Sequence, residues 1–316
     1  MSIARSSILK EFVLRTDKSA GGINMQIAEQ NVDGAGDVQQ ARAYFREVSE
    51  RCKLPPLPAI VASALRMVRD PNVNMGKLAR VLSDDVALVT RLFTVSRSAF
   101  YGRYTPPKTL VQAIQVLGLR TVQRLLVAST AQSLCRDQSP ISLTLWEHSL
   151  AVALTAEMLA RQAGSRDVET AFLTGLLHDI GQMVLLHGDG PGFRALAKKV
   201  QEEKAPVLVR EKETYGSDHT VIGIVLMDCW EFDGEIGNAI MHHHDDEMVA
   251  QEPQALAALL RVADYLTGLA GFGFLSDSVS PSPEVLTHWG CGDEEALQVM
   301  IERVRQAVDT EKSLYA

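Results

Sequence analysis

The chain has 316 residues, of which 46% are apolar and 22% are charged; this composition excludes a disordered or fibrous protein and allows a substantial buried core. Its formal net charge of −8 argues against a nucleic-acid partner, because a phosphate backbone would be repelled unless basic residues were segregated into a patch. The four cysteines are scattered without a C-x-x-C pair, and the N-terminus lacks the apolar core of a signal peptide, so we expect a cytoplasmic protein with reduced thiols.

The first 138 residues begin with a weakly patterned stretch and continue with helical periodicity. Four glycines make residues 1–36 a predicted flexible N-terminal lead-in. Residues 37–138 form a predicted N-terminal helical lobe, in which prolines and glycines separate stripes of apolar residues at helical spacing. The helices predicted after its first one (37–52) span residues 59–68, 86–96, 110–117 and 121–134, with another that begins near Asn74.

Residues 139–316 form a predicted second lobe of longer and more apolar helices, joined to the first near residues 136–142. These helices span residues 143–163, 168–186, 192–203, 218–230, 235–244, 255–269, 283–289 and 293–308. The most apolar stretch, 256–275, contains Arg261 and Asp264, and a charge at the centre of a bilayer costs about 2.5–3.5 kcal/mol. We therefore expect a buried helix there and no membrane partner.

The pattern as a whole predicts an all-α fold. No segment alternates between apolar and polar residues with a period of two, which is the signal of a half-buried strand. We expect a multi-helix bundle packed against the N-terminal helical subdomain, with the C-terminal helices belonging to the bundle.

Histidines and aspartates that could bind a metal are concentrated in the second lobe. Taken singly they have ordinary explanations: a lone histidine on an apolar helix, such as His178, is usually a hydrogen-bonded core residue. Asp264 is harder to explain, because a buried carboxylate needs a partner. Together these residues form a ligand set for divalent transition metals, and two ions bridged by one carboxylate would form a centre for phosphoester hydrolysis. The segments are "WEHSLAVA", "LLHDIG", "GSDHTVIG", "IMHHHD" and "RVADYL".

The order His, His–Asp, His, His–His, Asp resembles that of the HD superfamily of metal-dependent phosphohydrolases. Upstream, "LPPLPAIVASALRMVRDPNVNMGKLARVLSDDVALVTRLFTVSRSAFYG" and "AIQVLGLRTVQRLLVAS" resemble the HDOD (HD-related output domain) family of bacterial signalling proteins. The resemblance covers residues 45–135 in the first lobe and continues in an HD-like bundle to about residue 270. It departs in detail, with Arg97 where the family often has asparagine.

The resemblance implies a set of metal ligands. Asp179 would be the bridging carboxylate, and the catalytic residue if the protein is active. The histidine pair of the family usually precedes an acidic residue, here Asp245, which favours the second and third histidines of the triplet over His242. The cofactor would be a divalent transition metal, one or two ions of Fe, Mn, Co, Ni or Zn. The implied ligands are His148, His178, Asp179, His219, His243, His244 and Asp264.

Two features of the related HD-GYP phosphodiesterases are missing from this sequence. A lysine three positions after their His–Asp pair is replaced by Gln182, and "DDEMVAQEPQ" replaces the Gly-Tyr-Pro motif. A lysine would supply positive charge to a phosphate, whereas a neutral amide supplies none. These two departures from the HD-GYP pattern therefore favour weak hydrolysis.

Three hypotheses remain open. The leading one is a signalling module of the HDOD type with a transition-metal site, little or no hydrolase activity and a signalling protein as partner. The second is a metal-dependent phosphohydrolase that acts on a nucleotide or cyclic dinucleotide, with metal-bound water as nucleophile. The third treats the histidine cluster as a polar network within a structural scaffold. A nucleotide is the candidate ligand.

Overall fold

The structure is a computed structural model that describes residues 47, 50–70, 72–98, 101, 106–135, 139–165, 167–232, 234–275 and 279–315. The predicted lead-in and almost all of the first predicted helix lie outside these residues. Within them the regular structure is helical and contains no strand, which confirms the predicted all-α class. Among the described helices, none combines the length and the apolar character that crossing a bilayer requires.

The described chain divides into two compact units. The smaller unit comprises Pro56–Ser133 and the chain from Asp309 onward, and the larger unit comprises the chain up to Pro55 and Leu134–Val308. All the residues implied as metal ligands belong to the larger unit.

Two helices of the smaller unit begin at capping residues that the sequence supplies. Asn74 accepts a hydrogen bond from the backbone N–H of Lys77, and Asp85 accepts one from that of Leu88, so each satisfies a donor that the first helical turn leaves free. Gly118, with φ of 77°, breaks the last helix where the sequence predicts the break. The helices are α1 (Ala59–Val68), α2 (Met75–Leu82), α3 (Val86–Ser96) and α4 (Leu110–Leu134).

The larger unit is built around a long buried helix. This helix is α5 (Pro140–Gln162), which is buried on most of its circumference. The other helices are α6 (Val168–Leu177), α7 (Ile180–Gly188), α8 (Gly190–Glu203), α9 (Val207–Tyr215), α10 (His219–Cys229), α11 (Gly234–His242), α12 (Asp246–Gln251), α13 (Leu256–Thr267), α14 (Pro283–His288) and α15 (Glu294–Tyr315), whose residues from Asp309 onward belong to the smaller unit. Helix α5 packs against α6 and α13, while α10 packs against α7 and α11. A segment with π-helical hydrogen bonding, Gly268–Phe272, continues α13 and leaves the helical conformation at Gly271 (φ 98°).

Apart from shifts of a few residues at helix ends, the structure differs from the predicted helices at four places, one of which is the end of the last helix, at Tyr315 where the sequence predicts residue 308. The helix predicted over residues 168–186 is two helices, because the backbone leaves the helical conformation at Asp179 (φ −99°, ψ 18°). The short helices α9 and α12 were not predicted. Both are largely polar on their exposed faces and carry too few apolar residues for a clear stripe.

Two glycines allow the helices around the histidines to approach closely. A Cβ atom at Gly175 would lie 2.7 Å from the Cα of Ala153 in α5, and one at Gly181 would lie 2.1 Å from the carbonyl oxygen of His219 in α10. Contacts shorter than 3.0 Å are essentially never seen for real Cβ atoms. Both glycines flank the His178–Asp179 pair, so the absence of two side chains sets the distance of that pair from its neighbours.

Candidate metal centre

The seven implied ligands come from five places in the larger unit and meet in its interior. His148 lies on α5 and Asp264 on α13, whereas His219 is the first residue of α10. The His–Asp pair lies between α6 and α7, and the His–His pair follows α11. All are buried except His244, which is partly exposed.

The first group of donors surrounds His148. Its Nε2 atom lies 3.2 Å from Nε2 of His178, 3.5 Å from Oδ2 of Asp179 and 3.4 Å from Oδ1 of Asp264. Nε2 of His178 lies 3.4 Å from the same Oδ2 of Asp179. Two donors bound to one transition-metal ion at roughly 2.0–2.2 Å lie about 3.0–3.4 Å apart. Nε2 of His148, Nε2 of His178 and Oδ2 of Asp179 are therefore spaced as ligands of one ion, and Oδ1 of Asp264 lies beside the first of them.

The second group of donors is formed by His219, His243 and His244, whose ring nitrogens lie within 4.8 Å of one another. Asp179 connects the two groups. Its Oδ2 atom faces His148 and His178, and its Oδ1 atom lies 3.3 Å from Nε2 of His219. One carboxylate with an oxygen toward each group is the arrangement that a bridging ligand requires.

Backbone carbonyls fix the tautomers of three rings. A carbonyl oxygen only accepts, so Nδ1 of His148 donates to Phe272 (2.9 Å), Nδ1 of His178 donates to Gly175 (2.8 Å), and Nδ1 of His243 donates to Ile240 (2.7 Å). In the neutral rings Nε2 then carries a lone pair. Hydrogen bonding of the remote nitrogen is how proteins orient metal-binding histidines.

The donor set fits a divalent transition metal. The unprotonated Nε2 atoms of His148 and His178 are only 3.2 Å apart, with carboxylate oxygens beside them, so lone pairs face lone pairs unless a cation lies between. Among the described residues, the buried Nε2 atoms of His219 and His243 and Oδ1 of Asp264 find no hydrogen-bond partner. Buried polar atoms normally have partners, and a cation would supply one here.

Burial keeps most of the rings uncharged. Desolvation lowers the pKa of His148 and that of His178, the latter to about 4, and it lowers the pKa of His243 and of His244 well below the usual value. Neutral imidazoles are the form that binds metal.

His219 is the exception, because a buried carboxylate lies beside it. Burial disfavours its charged form, but the carboxylates of Glu211 and Asp179 outweigh burial and raise the pKa of His219 to about 10. Oε2 of Glu211 accepts from Nδ1 of His219 at 2.7 Å and from its backbone N–H at 2.8 Å. The remaining proton, on Nε2, faces Asp179, where a metal ion would displace it.

His244 has the opposite tautomer. Nη1 of Arg261 lies 3.2 Å from its Nδ1 atom, and a guanidinium only donates, so this nitrogen is an acceptor. The proton of the neutral ring is then on Nε2. His244 can therefore offer a lone pair to a metal only after it loses the bond to Arg261.

Two other residues singled out by the sequence, His242 and Gln182, also lie near the centre. His242 belongs to neither donor group, and its Nδ1 atom lies 3.6 Å from Oδ2 of Asp245. Gln182 is buried, with its amide nitrogen 3.4 Å from Nδ1 of His219. It therefore packs beside a candidate ligand.

Two functional residues were missed by sequence reasoning. Glu211 lies in α9, which was not predicted, and nothing in its local sequence distinguishes it from a surface glutamate. The sequence shows Arg261 as a charge that interrupts an apolar stretch, and its place three residues before Asp264 in that stretch was the available signal; the structure leaves it 3% exposed on the same helix.

Comparison with known families and structures gives one consistent result. A family model described as the HDOD domain matches residues 54–246. The crystal structure of an HDOD domain protein with unknown function from Geobacter sulfurreducens superposes with a TM-score of 0.67 at 26% identity, covering 85% of this chain and 98% of that one. A candidate signal transduction protein from Marinobacter aquaeolei gives the same TM-score at 20% identity, covering 99% and 66%, and shows the fold alone.

Among curated proteins, a partial match is ribonuclease Y of Geotalea uraniireducens (strain Rf4). It is 32% identical over 127 residues, which are 40% of this chain and 18% of that enzyme. The curated relatives are longer proteins, of which this chain covers at most 41%.

Proposed function

The chain belongs to the HDOD family, whose model matches more than half of its length, and from this premise we propose that it is a metal-binding regulatory module of bacterial signalling with little or no hydrolase activity. The ligands are His148, His178, Asp179, His219, His243, His244 and Asp264. The module acts on a signalling protein partner, in agreement with the signal transduction role named for the Marinobacter structure.

The observation that carries the proposal is the position of Asp179. Its two oxygens face two separate groups of ring nitrogens at 3.3–3.5 Å, in an interior where several donor atoms have no partner among the described residues. A purely structural polar network would pair those atoms with one another. The arrangement supports a metal ligand set and argues against the scaffold hypothesis.

The expectation of weak hydrolysis rests on what lies around the ligands. A bound transition metal would supply Lewis acidity and a water of lowered pKa. Fast phosphoryl transfer also requires groups that hold the phosphate in line and neutralise its charge. Gln182 is neutral and packs beside His219, so it supplies no charge for that purpose.

The second candidate function is a metal-dependent phosphohydrolase. The bridging position of Asp179 favours it, because a carboxylate between two ions is the core of a two-metal hydrolytic centre. The partial similarity to ribonuclease Y, an enzyme by name, agrees with this alternative for the matched segment. A nucleotide or cyclic dinucleotide would be the substrate.

Metal analysis tests the ligand set. Protein purified without chelator, and protein reloaded with Mn²⁺, Fe²⁺, Co²⁺ or Zn²⁺, should contain at least about one ion per chain by elemental analysis. Asp179→Ala should lose most of it, because a bridging ligand holds both positions. His187→Ala, which changes an exposed histidine outside both groups, is the control and should retain the metal. Absence of metal from every loaded sample would refute the proposal.

Turnover separates the two functions. With each metal supplied in turn, cyclic dinucleotides and an aryl phosphodiester should be hydrolysed more slowly than about 1 s⁻¹, the lower end of typical enzymes. A faster reaction that is abolished in Asp179→Ala would contradict the regulatory module and support the phosphohydrolase function.

A further inference from the structure

A cavity of about 620 Å³ opens beside the metal centre in the larger unit. Its volume is in the range of cavities that bind small molecules. Asp264 lines it, so the cavity reaches one of the candidate metal ligands. Arg261 and Lys204 line it as well, and they are its only cationic side chains among the described residues.

Arg261 presents one unused hydrogen-bond donor, its Nε–H. It is 3% exposed, its Nη1 atom donates to His244, and its Nη2 atom contacts Asp246 at 3.2 Å. Its buried Nε–H finds no acceptor among the described residues. Nε and Nη2 form the side of a guanidinium that binds two oxygens of a phosphate or carboxylate at once. On this side of Arg261 the Nη2 atom already contacts Asp246, while the Nε–H donor is left to bind a further anion.

The charged residues around the cavity lie at different depths. Lys204, the left-handed residue that ends α8, is exposed, whereas Arg261 and Asp264 are buried. Asp264 would repel an anion, but its Oδ1 atom faces the nitrogen of His148, where a bound metal would neutralise it. Asp246 is largely exposed, so solvent screens its contribution.

The rest of the lining is mostly apolar, apart from Gln201 and Tyr265, which each carry a polar group. Such a surface suits the organic part of a ligand, because apolar area removed from water contributes about 25 cal/mol per Å². Inorganic phosphate alone would leave this surface uncovered. The apolar lining is formed by Val200, Leu269, Leu275 and Val279, together with glycines at 268 and 273.

We propose that this cavity binds a phosphorylated small molecule with an apolar or planar organic part, whose phosphate lies on the Nε–Nη2 edge of Arg261 and whose charge Lys204 attracts at the entrance. The inference rests on the proposed metal site, since the metal neutralises Asp264. The place of Arg261 beside Asp264 makes the cavity a ligand-sensing site of the regulatory module.

Calorimetric titration of the metal-loaded protein tests the inference, with inorganic phosphate, adenosine monophosphate and adenosine as probes. The monophosphate should bind at least about tenfold more tightly than inorganic phosphate, and adenosine alone should bind weakly. Arg261→Gln should weaken monophosphate binding about 10- to 100-fold, as expected for the loss of a charge-assisted pair. Arg261→Lys, which keeps the charge and loses the two-donor edge, should give an intermediate loss.

Lys204→Gln provides a second variant that does not disturb the core, and it should weaken binding a few fold in a salt-dependent way. Lys198→Gln changes an exposed lysine on the same helix that does not line the cavity, and it should have no effect. Equal affinity of wild type and both Arg261 variants, or no binding by protein shown to contain metal, would overturn the inference and leave the metal site intact. Protein that binds no metal would instead overturn the proposed function.

Discussion

The carboxylate of Glu211 is buried in the core, and its Oε2 atom accepts two hydrogen bonds from His219. Burial raises the pKa of this carboxyl, while His219 opposes the shift. The carboxylate orients the ring and increases its basicity, as partners of metal-binding histidines do. Glu211 is therefore a positioning residue for the second donor group.

Replacing Glu211 by glutamine removes the negative charge and keeps the size and shape of the side chain. We expect Glu211→Gln to lower metal affinity about 10- to 100-fold, measured by competition with a chelator, because the ligand loses its anionic partner. In the metal-free protein the pKa of His219, about 10 with the carboxylate present, should fall when followed by NMR. Glu213→Gln, on the exposed face of the same helix, should change neither quantity. Unchanged affinity in Glu211→Gln would contradict the positioning role.

The tautomer of His244 predicts unequal contributions from the two histidines after α11. Nδ1 of His243 donates to a carbonyl and leaves Nε2 free, whereas Nδ1 of His244 accepts from Arg261. His243→Ala should therefore remove more metal than His244→Ala in matched elemental analyses. Larger loss from His244→Ala would mean that the Arg261 bond breaks when metal binds.

At the scale of helices, the close approach of α7 to α10 depends on the absence of a side chain at Gly181. Gly181→Ala should force the helices apart, because the new methyl group would lie 2.1 Å from the carbonyl of His219. We expect destabilisation of about 1–3 kcal/mol, measured by urea unfolding, and a loss of metal, because Asp179 and His219 separate. Gly188→Ala, on the same helix, has its nearest neighbour at 3.4 Å and should be tolerated. Full metal content in Gly181→Ala would show that the centre does not need this close approach.

Helix positions were largely predictable because capping and apolar spacing are local. Asn74, Asp85 and Asp218 each cap the helix that the sequence places after them. The break at His178–Asp179 was not predictable, because no proline marks it, the flanking Gly175 and Gly181 permit close packing of helices, and the apolar residues continue through it. It matters for the site, since it turns Asp179 between the two donor groups.

The residue types of the site were evident from the sequence, but their surroundings were not. Histidines and aspartates in apolar segments pointed to a metal, and the resemblance supplied which of them meet. The contact of Glu211 with His219, and that of Arg261 with His244, depend on tertiary packing between separate helices. Periodicity carries no information about such contacts.

At the scale of the whole chain, a metal ion would act as a cross-link among α5, α10, α13 and the two histidine-bearing turns. An ion that binds only the folded state at 100 times its dissociation constant stabilises by about 2.7 kcal/mol. We expect thermal unfolding of the loaded protein to shift upward by about 5–10 °C. Hydrogen exchange should slow in these helices of the larger unit and stay unchanged in α1, α2 and α3. Asp179→Ala should show neither effect, and equal slowing in both units would argue against a local cross-link.

The segment Gly268–Phe272 connects the metal centre to α15 through two backbone carbonyls. The Phe272 carbonyl holds the ring of His148, and two residues earlier the Ala270 carbonyl accepts from Nε of Arg305 in α15 at 3.2 Å. π-Helical turns are rare and occur frequently at functional sites. A displacement of α15 at Arg305 would be transmitted through this segment to the carbonyl that orients the ring of His148.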